Sequence, residues 1–176
     1  MLIEKEMKEV SFRNDVLPLK NILFRLALRI TTNREEAEDV VQDTLMKVWD
    51  RRDDWAEIES IEAYALSICR NLALDCTKKK SRRDASLDEE GAKEVVSHAN
   101  PYEQAAQSNR VRIVRQLIDN LPEKQRSCIQ LRDFEGKSYK EVAEVLGISE
   151  SQVKVNIFRA RQTVKTKFEQ LDQYGL

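Results

Sequence analysis

Tyr139-Lys140-Glu141-Val142-Ala143-Glu144-Val145-Leu146-Gly147-Ile148-Ser149-Glu150-Ser151-Gln152-Val153-Lys154-Val155-Asn156-Ile157-Phe158 is the stretch on which the architecture turns. Two short helices that cross steeply need a small residue where their backbones approach, and Ala143 supplies it. The turn between them needs a residue at ease in the left-handed region, and Gly147 has no Cβ to clash there. The second helix needs apolar anchors, here Val142, Leu146, Ile148, Val153 and Ile157. The spacing Ala-x3-Gly-x5-Val meets all three needs and predicts a helix-turn-helix. Its second helix is expected to expose Ser149, Glu150, Ser151, Gln152, Lys154, Val155 and Asn156 near its N-terminus, where base edges are read in a major groove. Phe158, Arg159, Arg161 and Lys165 follow, placed to meet backbone phosphates. A hairpin that merely packs needs neither the glycine turn nor this polar, basic face.

Working outward, Ser138 with Glu141 and Ser149 with Gln152 are spaced as capping boxes for the two helices. Glu135-Gly136 reads as a turn. Leu121-Pro122-Glu123 stops one helix and starts another that runs to about Phe134. Asn100-Pro101-Tyr102-Glu103 offers an N-cap, proline at the first helical position and an acid two residues later. A helix to about Asn120 through Val111, Val114, Leu117 and Ile118 is expected from it. Residues 84–99 show no sustained period and read as a flexible linker, with room for a short helix within Asp88–Val96.

Upstream, three helices are expected. Phe12, Val16, Leu19, Leu23, Leu26, Ala27 and Ile30 recur at spacings of three and four, with Pro18 kinking that helix or marking its start. Asn33 and Glu36 form a capping pair for a helix to about Asp50. It buries Ala37, Val40, Val41, Leu45 and Val48 and presents Asp39, Gln42, Asp43 and Lys47 outward. Ser60 can cap a third helix through Ile61, Tyr64, Ala65, Ile68, Leu72 and Leu74, ending in the basic run Lys78-Lys79-Lys80-Ser81-Arg82-Arg83. Trp49 and Tyr64 are expected in the core.

The composition fits an all-α chain: 4 Gly and 3 Pro in 176 residues, with 35% charged and 41% hydrophobic side chains. The net charge of -1 hides a pattern. Residues 1–83 carry 16 basic and 16 acidic side chains, residues 84–108 carry 1 and 6, and residues 109–176 carry 13 and 9. An acidic spacer therefore separates a neutral block from a basic one. No apolar run approaches the roughly 18 residues of a membrane span, and no signal peptide is evident at the N-terminus. Cys69, Cys76 and Cys128 are odd in number and lack paired spacing, which suits buried free thiols in a reducing cytoplasm. His98 is the sole histidine and has no ligand partners in sequence. No metal or other cofactor is expected.

In family terms, Leu121-Pro122-x3-Arg126, Leu131-Arg132-Asp133-Phe134-Glu135-Gly136-Lys137-Ser138-Tyr139-x-Glu141-Val142-Ala143, Val153-Lys154 and Arg159-Ala160-Arg161 together resemble region 4 of small bacterial sigma factors of the sigma-70 family, in the extracytoplasmic-function group. Independently, Ala37-Glu38-Asp39-Val40-Val41-Gln42-Asp43-Thr44 with Val48-Trp49 is similar to region 2.2. Ile61-Glu62-Ala63-Tyr64 with Arg70-Asn71-Leu72-Ala73-Leu74-Asp75 and the basic residues after it is similar to regions 2.3–2.4. The resemblance covers about residues 10–83 and 105–170.

It implies two small helical domains: residues 1–83, binding core polymerase and the -10 element, and residues 105–176, binding the -35 element. An acidic linker, residues 84–104, joins them. Asp39, Gln42 and Asp43 would dock on the polymerase β′ clamp, with a second contact at the β flap. Trp55 would stand at the rim of a base pocket in the 50–60 loop, and Arg70, Asn71, Asp75, Lys78, Lys79, Lys80, Arg82 and Arg83 would hold the -10 strand. The resemblance further implies promoter DNA and core polymerase as partners, an anti-sigma factor, cytoplasmic location with a possible tether through that factor, and an active monomer. Many relatives have Thr-Val-Arg/Lys-Ser where this chain has Gln152-Val153-Lys154-Val155, so the usual -35 preference does not carry over. Val155 offers a thymine methyl an apolar contact and donates no hydrogen bond.

Two other function classes compete. A stand-alone helix-turn-helix regulator accounts for residues 109–176 but not for the 37–49 motif or the basic run after Asp75. A helical enzyme would need a phosphate loop, a metal cluster or a nucleophile–base pair, and the sequence offers none. No small-molecule substrate is expected.

Overall fold

The computed structural model describes residues 10–87 and 109–173. The described residues contain helices and turns and no strand. After irregular turns over Phe12–Val16 and Leu17–Leu19, the first helix, α1, spans Lys20–Thr31. Pro18 thus sits ahead of the regular helix, where its missing N–H leaves no hydrogen bond unmade. The left-handed Thr32 (φ 54°) closes α1 by donating its amide to the Leu28 carbonyl, and Thr31 Oγ bonds back to the Ala27 carbonyl.

Helix α2 spans Arg34–Asp50 and starts as the sequence requires: Asn33 Oδ1 accepts the Glu36 amide at 3.0 Å. Ala37, Val40, Val41 and Val48 are buried and Leu45 is half-buried, while Asp39, Gln42, Asp43 and Lys47 are exposed. A tight turn over Arg52–Glu57 leads to α3, Ile61–Leu87, capped by Ser60, whose Oγ accepts the Ala63 amide at 3.1 Å. The helix includes the basic run and continues a few residues past it, to Leu87. Lysine and arginine are good helix formers, so Lys78–Arg83 stay helical and exposed on α3. The remaining expectations for the linker, the short helix within Asp88–Val96, the start signals at 100–103 and His98 lie outside the described residues.

In the second half, α4 spans Asn109–Asp119 and α5 spans Glu123–Ile129, continued by a wider turn over Gln130–Phe134. Helices α6, Tyr139–Leu146, and α7, Glu150–Gln173, complete it. Helices α1, α2 and α3 pack on one another, and α4, α5 and α6 gather around α7.

The two halves are not separate here. Helix α3 lies against α6 and α1 against α5, so one buried apolar cluster runs from Val16 through Ala73 to Cys128, Leu131, Val142, Val153 and Ile157. A smaller cluster, Ile118, Leu121, Ile129 and Ala160, belongs to the second half alone. Leu23, Leu26, Leu66 and Leu131 are almost completely buried, each contributing about 2 kcal/mol in transfer free energy. Cys69 and Cys128 are buried free thiols, but Cys76 is only half-buried.

Candidate nucleic-acid interface

The helix-turn-helix is built by local chemistry. Ser138 and Glu141 close a capping box: Ser138 Oγ accepts the Glu141 amide at 3.2 Å, and Glu141 Oε2 accepts the Ser138 amide at 2.7 Å. Hydrogen bonding from Ser138, its backbone N–H first and its hydroxyl second, holds the Glu141 carboxyl below the usual carboxylate range. Gly147 terminates α6 in the left-handed region (φ 63°, ψ 37°), and the Ile148 amide reaches back to the Ala143 carbonyl at 3.1 Å. Ser149 and Gln152 repeat the reciprocal cap at the start of α7, at 3.2 and 3.0 Å. Val142, Leu146, Val153 and Ile157 are buried and Ile148 packs against them, as the spacing predicts.

With Val153, Ile157 and Ala160 facing inward, the opposite side of α7 presents Ser151, Val155 and Phe158. Val155 is 45% and Phe158 64% exposed. Glu150, Gln152, Lys154, Arg159 and Arg161 flank them, all exposed, and Asn156 is half-buried with its Nδ2 on the Gln152 carbonyl. Two of the cations already have partners. Lys154 Nζ lies 5.4 Å from the centre of the Tyr139 ring, and Arg161 makes two bonds, at 2.6 and 3.0 Å, to Asp133. That carboxylate raises the Arg161 pKa and fixes the side chain beside the second half's own body.

The first half departs from the sequence reading at three side chains. Trp55, expected at a pocket rim, is 6% exposed and donates its indole N–H to the Val48 carbonyl at 3.0 Å. Trp49, expected in the core, is 45% exposed. It meets the Phe12 ring edge-on at 5.2 Å and carries the Arg52 guanidinium 5.0 Å above its own ring. The Arg52–Glu57 turn folds back on the end of α2 and exchanges the two indoles. Tyr64 does pack against the core. Arg70, expected on the strand-binding face, is ion-paired to Glu123 of α5 at 3.1 Å with 11% of its side chain exposed. Asn71, Asp75, Lys78, Lys79, Lys80, Arg82 and Arg83 are exposed along α3, with Lys80 bridged to Glu36 at 3.0 Å. The exposed Met46 and Trp49 extend the Asp39–Gln42–Asp43 face toward the end of α2. Trp49 is expected in the core and Met46 carries no expectation, so this extension is not foreseen from the sequence.

No group of side chains able to hold a metal occurs among the described residues, and no described helix is long and apolar enough to cross a membrane. The sequence profile of Sigma-70 region 2 matches residues 16–83, and that of Sigma-70, region 4 matches residues 112–164. The ECF RNA polymerase sigma factor SigE of Mycolicibacterium smegmatis is 29% identical over 81% of this chain and 56% of its own length. SigW of Bacillus subtilis, also an ECF RNA polymerase sigma factor, is 27% identical over 97% of this chain and 99% of its own. The "Probable RNA polymerase sigma factor RfaY" of Xanthomonas campestris is 30% identical over 88% of this chain and 40% of its own. The chain thus spans about half or less of two of these relatives and nearly all of SigW. Among solved structures, the sigma factor RpoE of Bartonella quintana, in complex with the anti-sigma factor NepR, superposes with a TM-score of 0.74 at 26% identity. That match covers 92% of this chain and 98% of the other.

Proposed function

Since this chain belongs to the sigma-70 family, with region 2 ahead of region 4, we propose that it directs RNA polymerase to specific promoters for transcription initiation. It acts as a specificity subunit and has no reaction of its own. The observation that carries this reading is the pairing of two modules on one chain, the second holding an outward polar and basic helix-turn-helix face on α7.

In this reading residues 1–83 and 105–176 are the working units and residues 84–104 the tether between them. The N-terminal turn of α7 enters the major groove of the -35 duplex. Ser149, Glu150, Ser151, Gln152, Lys154, Val155 and Asn156 lie along base edges, and Phe158, Arg159 and Arg161 lie toward the backbone. The exposed cations of α3, from Lys78 to Arg83, follow the -10 strand, with Asn71 and Asp75 one to two turns upstream. Arg70 joins them once it is released from Glu123. Asp39, Gln42 and Asp43 meet basic side chains of the β′ clamp through charge-assisted contacts, and the second half meets the β flap. Joining two weak sites by a tether raises the affinity of each through effective concentration. The solved relative's complex with an anti-sigma factor supports such a partner here. The working form is a cytoplasmic monomer.

The test is transcription in vitro with bacterial core polymerase on a pooled promoter library. New start sites and co-elution with core are expected; their joint absence refutes the reading. Lys154→Ala and Arg159→Ala, made separately, should weaken -35 binding and leave core binding intact. An equal loss of core binding would show that the roles of the halves are misassigned.

A further inference from the structure

The cations on the recognition side of the second half are held in two chemically different ways. Arg161 of α7 makes two bonds to Asp133, at 2.6 and 3.0 Å, so an opposite charge meets its own. Lys154, two turns earlier on the same helix, pairs with no carboxylate among the described residues; its Nζ instead lies over the Tyr139 ring, 5.4 Å from the centre. The same ring carries Arg132, whose guanidinium stands 4.7 Å from the centre and whose Nη1 donates to the Lys137 carbonyl at 2.7 Å. Tyr139 is the first residue of α6, directly after the Ser138 cap, and it packs against the buried apolar cluster. Backbone, core and Arg132 thus set the place of the ring before Lys154 meets it.

A ring and a carboxylate do different things to a lysine. A carboxylate takes up N–H donors and offsets the charge. An aromatic face attracts the cation through its quadrupole and occupies no donor. Lys154 on Tyr139 therefore keeps its N–H donors and its full charge for a second partner. It also gives up freedom in advance: a lysine on a solvated helix face samples many rotamers, and fixing one of them on binding is unfavourable. Lys154 is exposed next to Val155, on the face of α7 proposed to enter the groove. The side chain that holds it belongs to the preceding helix, outside the recognition helix itself.

Resting on the promoter-directing role, we infer that Tyr139 is a positioning residue for -35 binding: its ring fixes the Lys154 ammonium ahead of DNA, with charge and donors left unused. Arg132 steadies the ring, and the ring steadies Lys154. The Tyr139 hydroxyl has no part in this, so an aromatic replacement keeps the effect and an aliphatic one removes it.

The test has one arm without DNA and one with it, both on the full chain. In the first, the lysines are converted to isotope-labelled dimethyl-lysines, which keep their charge, and the Lys154 signal is identified by its loss in Lys154→Arg. The ring current should set that signal upfield of those of the other exposed lysines. It should stay there in Tyr139→Phe and join the others in Tyr139→Leu. A Lys154 signal already among the others in the unmodified chain would overturn the proposal, whatever the variants do. In the second arm, fluorescence anisotropy at fixed salt follows a -35 duplex recovered from the promoter library. Tyr139→Leu, which keeps an apolar group against the core, should weaken binding roughly two- to fivefold, and Tyr139→Phe should bind as the unmodified chain does. In a Lys154→Ala background Tyr139→Leu should cost nothing further, because the cation it positions is gone. An equal loss in both backgrounds would leave Tyr139 a purely structural residue, and Tyr139→Phe as weak as Tyr139→Leu would put the hydroxyl in charge; either result overturns the proposal. The first arm needs neither polymerase nor promoter. A missing ring-current shift therefore sinks the positioning role alone, and a lack of new start sites sinks the promoter-directing role.

Discussion

Val155 makes a prediction that reaches from one side chain to promoter choice. It lies at the centre of the outward face of α7, 45% exposed, beside Phe158 at 64%. Apolar groups held out of the core on a helix flanked by Lys154 and Arg159 need an apolar partner, and the one a major groove offers is the C5-methyl of thymine. Burying one methyl-sized group contributes about 0.8 kcal/mol, a factor of roughly four in Kd. The assay is fluorescence anisotropy at fixed salt with a -35 duplex recovered from the promoter library, carrying either thymine or uracil throughout. Uracil differs only by the absent methyl, so phosphate contacts and hydrogen-bonding edges are unchanged. The thymine duplex should bind about fourfold more tightly for each methyl that is contacted. Val155→Ala should reduce the preference, and Val155→Ser should bring it close to one. Equal binding of both duplexes by the unmodified chain would refute the reasoning, as would a preference that survives Val155→Ser undiminished.

Gly147→Ala should cost about 1 kcal/mol in urea unfolding. A left-handed alanine costs roughly 1–2 kcal/mol, partly offset by the lower entropy of the unfolded chain, and an added Cβ would meet nothing within 4 Å. A loss above about 4 kcal/mol would point to a steric clash and contradict the turn geometry. Burial pushes the Glu135 carboxyl up, but hydrogen bonds from Arg25 and Gln130, with the charges of Arg25 and Lys137, outweigh it and hold it below its ordinary value. Its contribution is therefore complete above the unfolded carboxylate pKa of about 4.3 and lost as pH falls through the lower folded value. The scattering radius should stay constant from neutral pH to about 5, then rise below about 4, with a smaller rise in Glu135→Gln. Burial drives the Cys69 thiol up to about 12 and the Cys128 thiol up to about 11. A disulfide reagent at mildly alkaline pH should thus modify half-buried Cys76 first and reach the other two only on unfolding.

What the sequence made legible was whatever is fixed within a few residues. The cap at Asn33, the box at Ser138, the left-handed Gly147 and the apolar rows of α2 and α7 obey rules that act over one or two helical turns. The misplacements fall where the deciding partner is remote or the backbone is irregular. Helical periodicity says nothing about a residue in the Arg52–Glu57 turn, so Trp55 gave no sign that its indole N–H finds the Val48 carbonyl and displaces Trp49 toward solvent. The end of α3 lies at Leu87, a few residues past the basic run in which the sequence places it, because the backbone needs only good helix formers to continue. Arg70 looked like an exposed cation because its partner, Glu123, stands 53 residues further along the chain. That contact depends on how two helical bodies meet, which no local pattern carries.

The acids of the second half make sense together only in the light of that meeting. Residues 109–176 carry 13 basic and 9 acidic side chains, and Asp119, Glu123 and Glu135 each face an arginine of the first half. On a surface proposed to approach DNA, three carboxylates lower the positive field that speeds association, and they would work against that role of α7 unless something else engages them. In the structure the seam arginines Arg25, Arg29 and Arg70 engage them. Each pair offsets one charge with another across the seam, so the acids of the second half do not stand as an unpaired negative field beside its recognition helix.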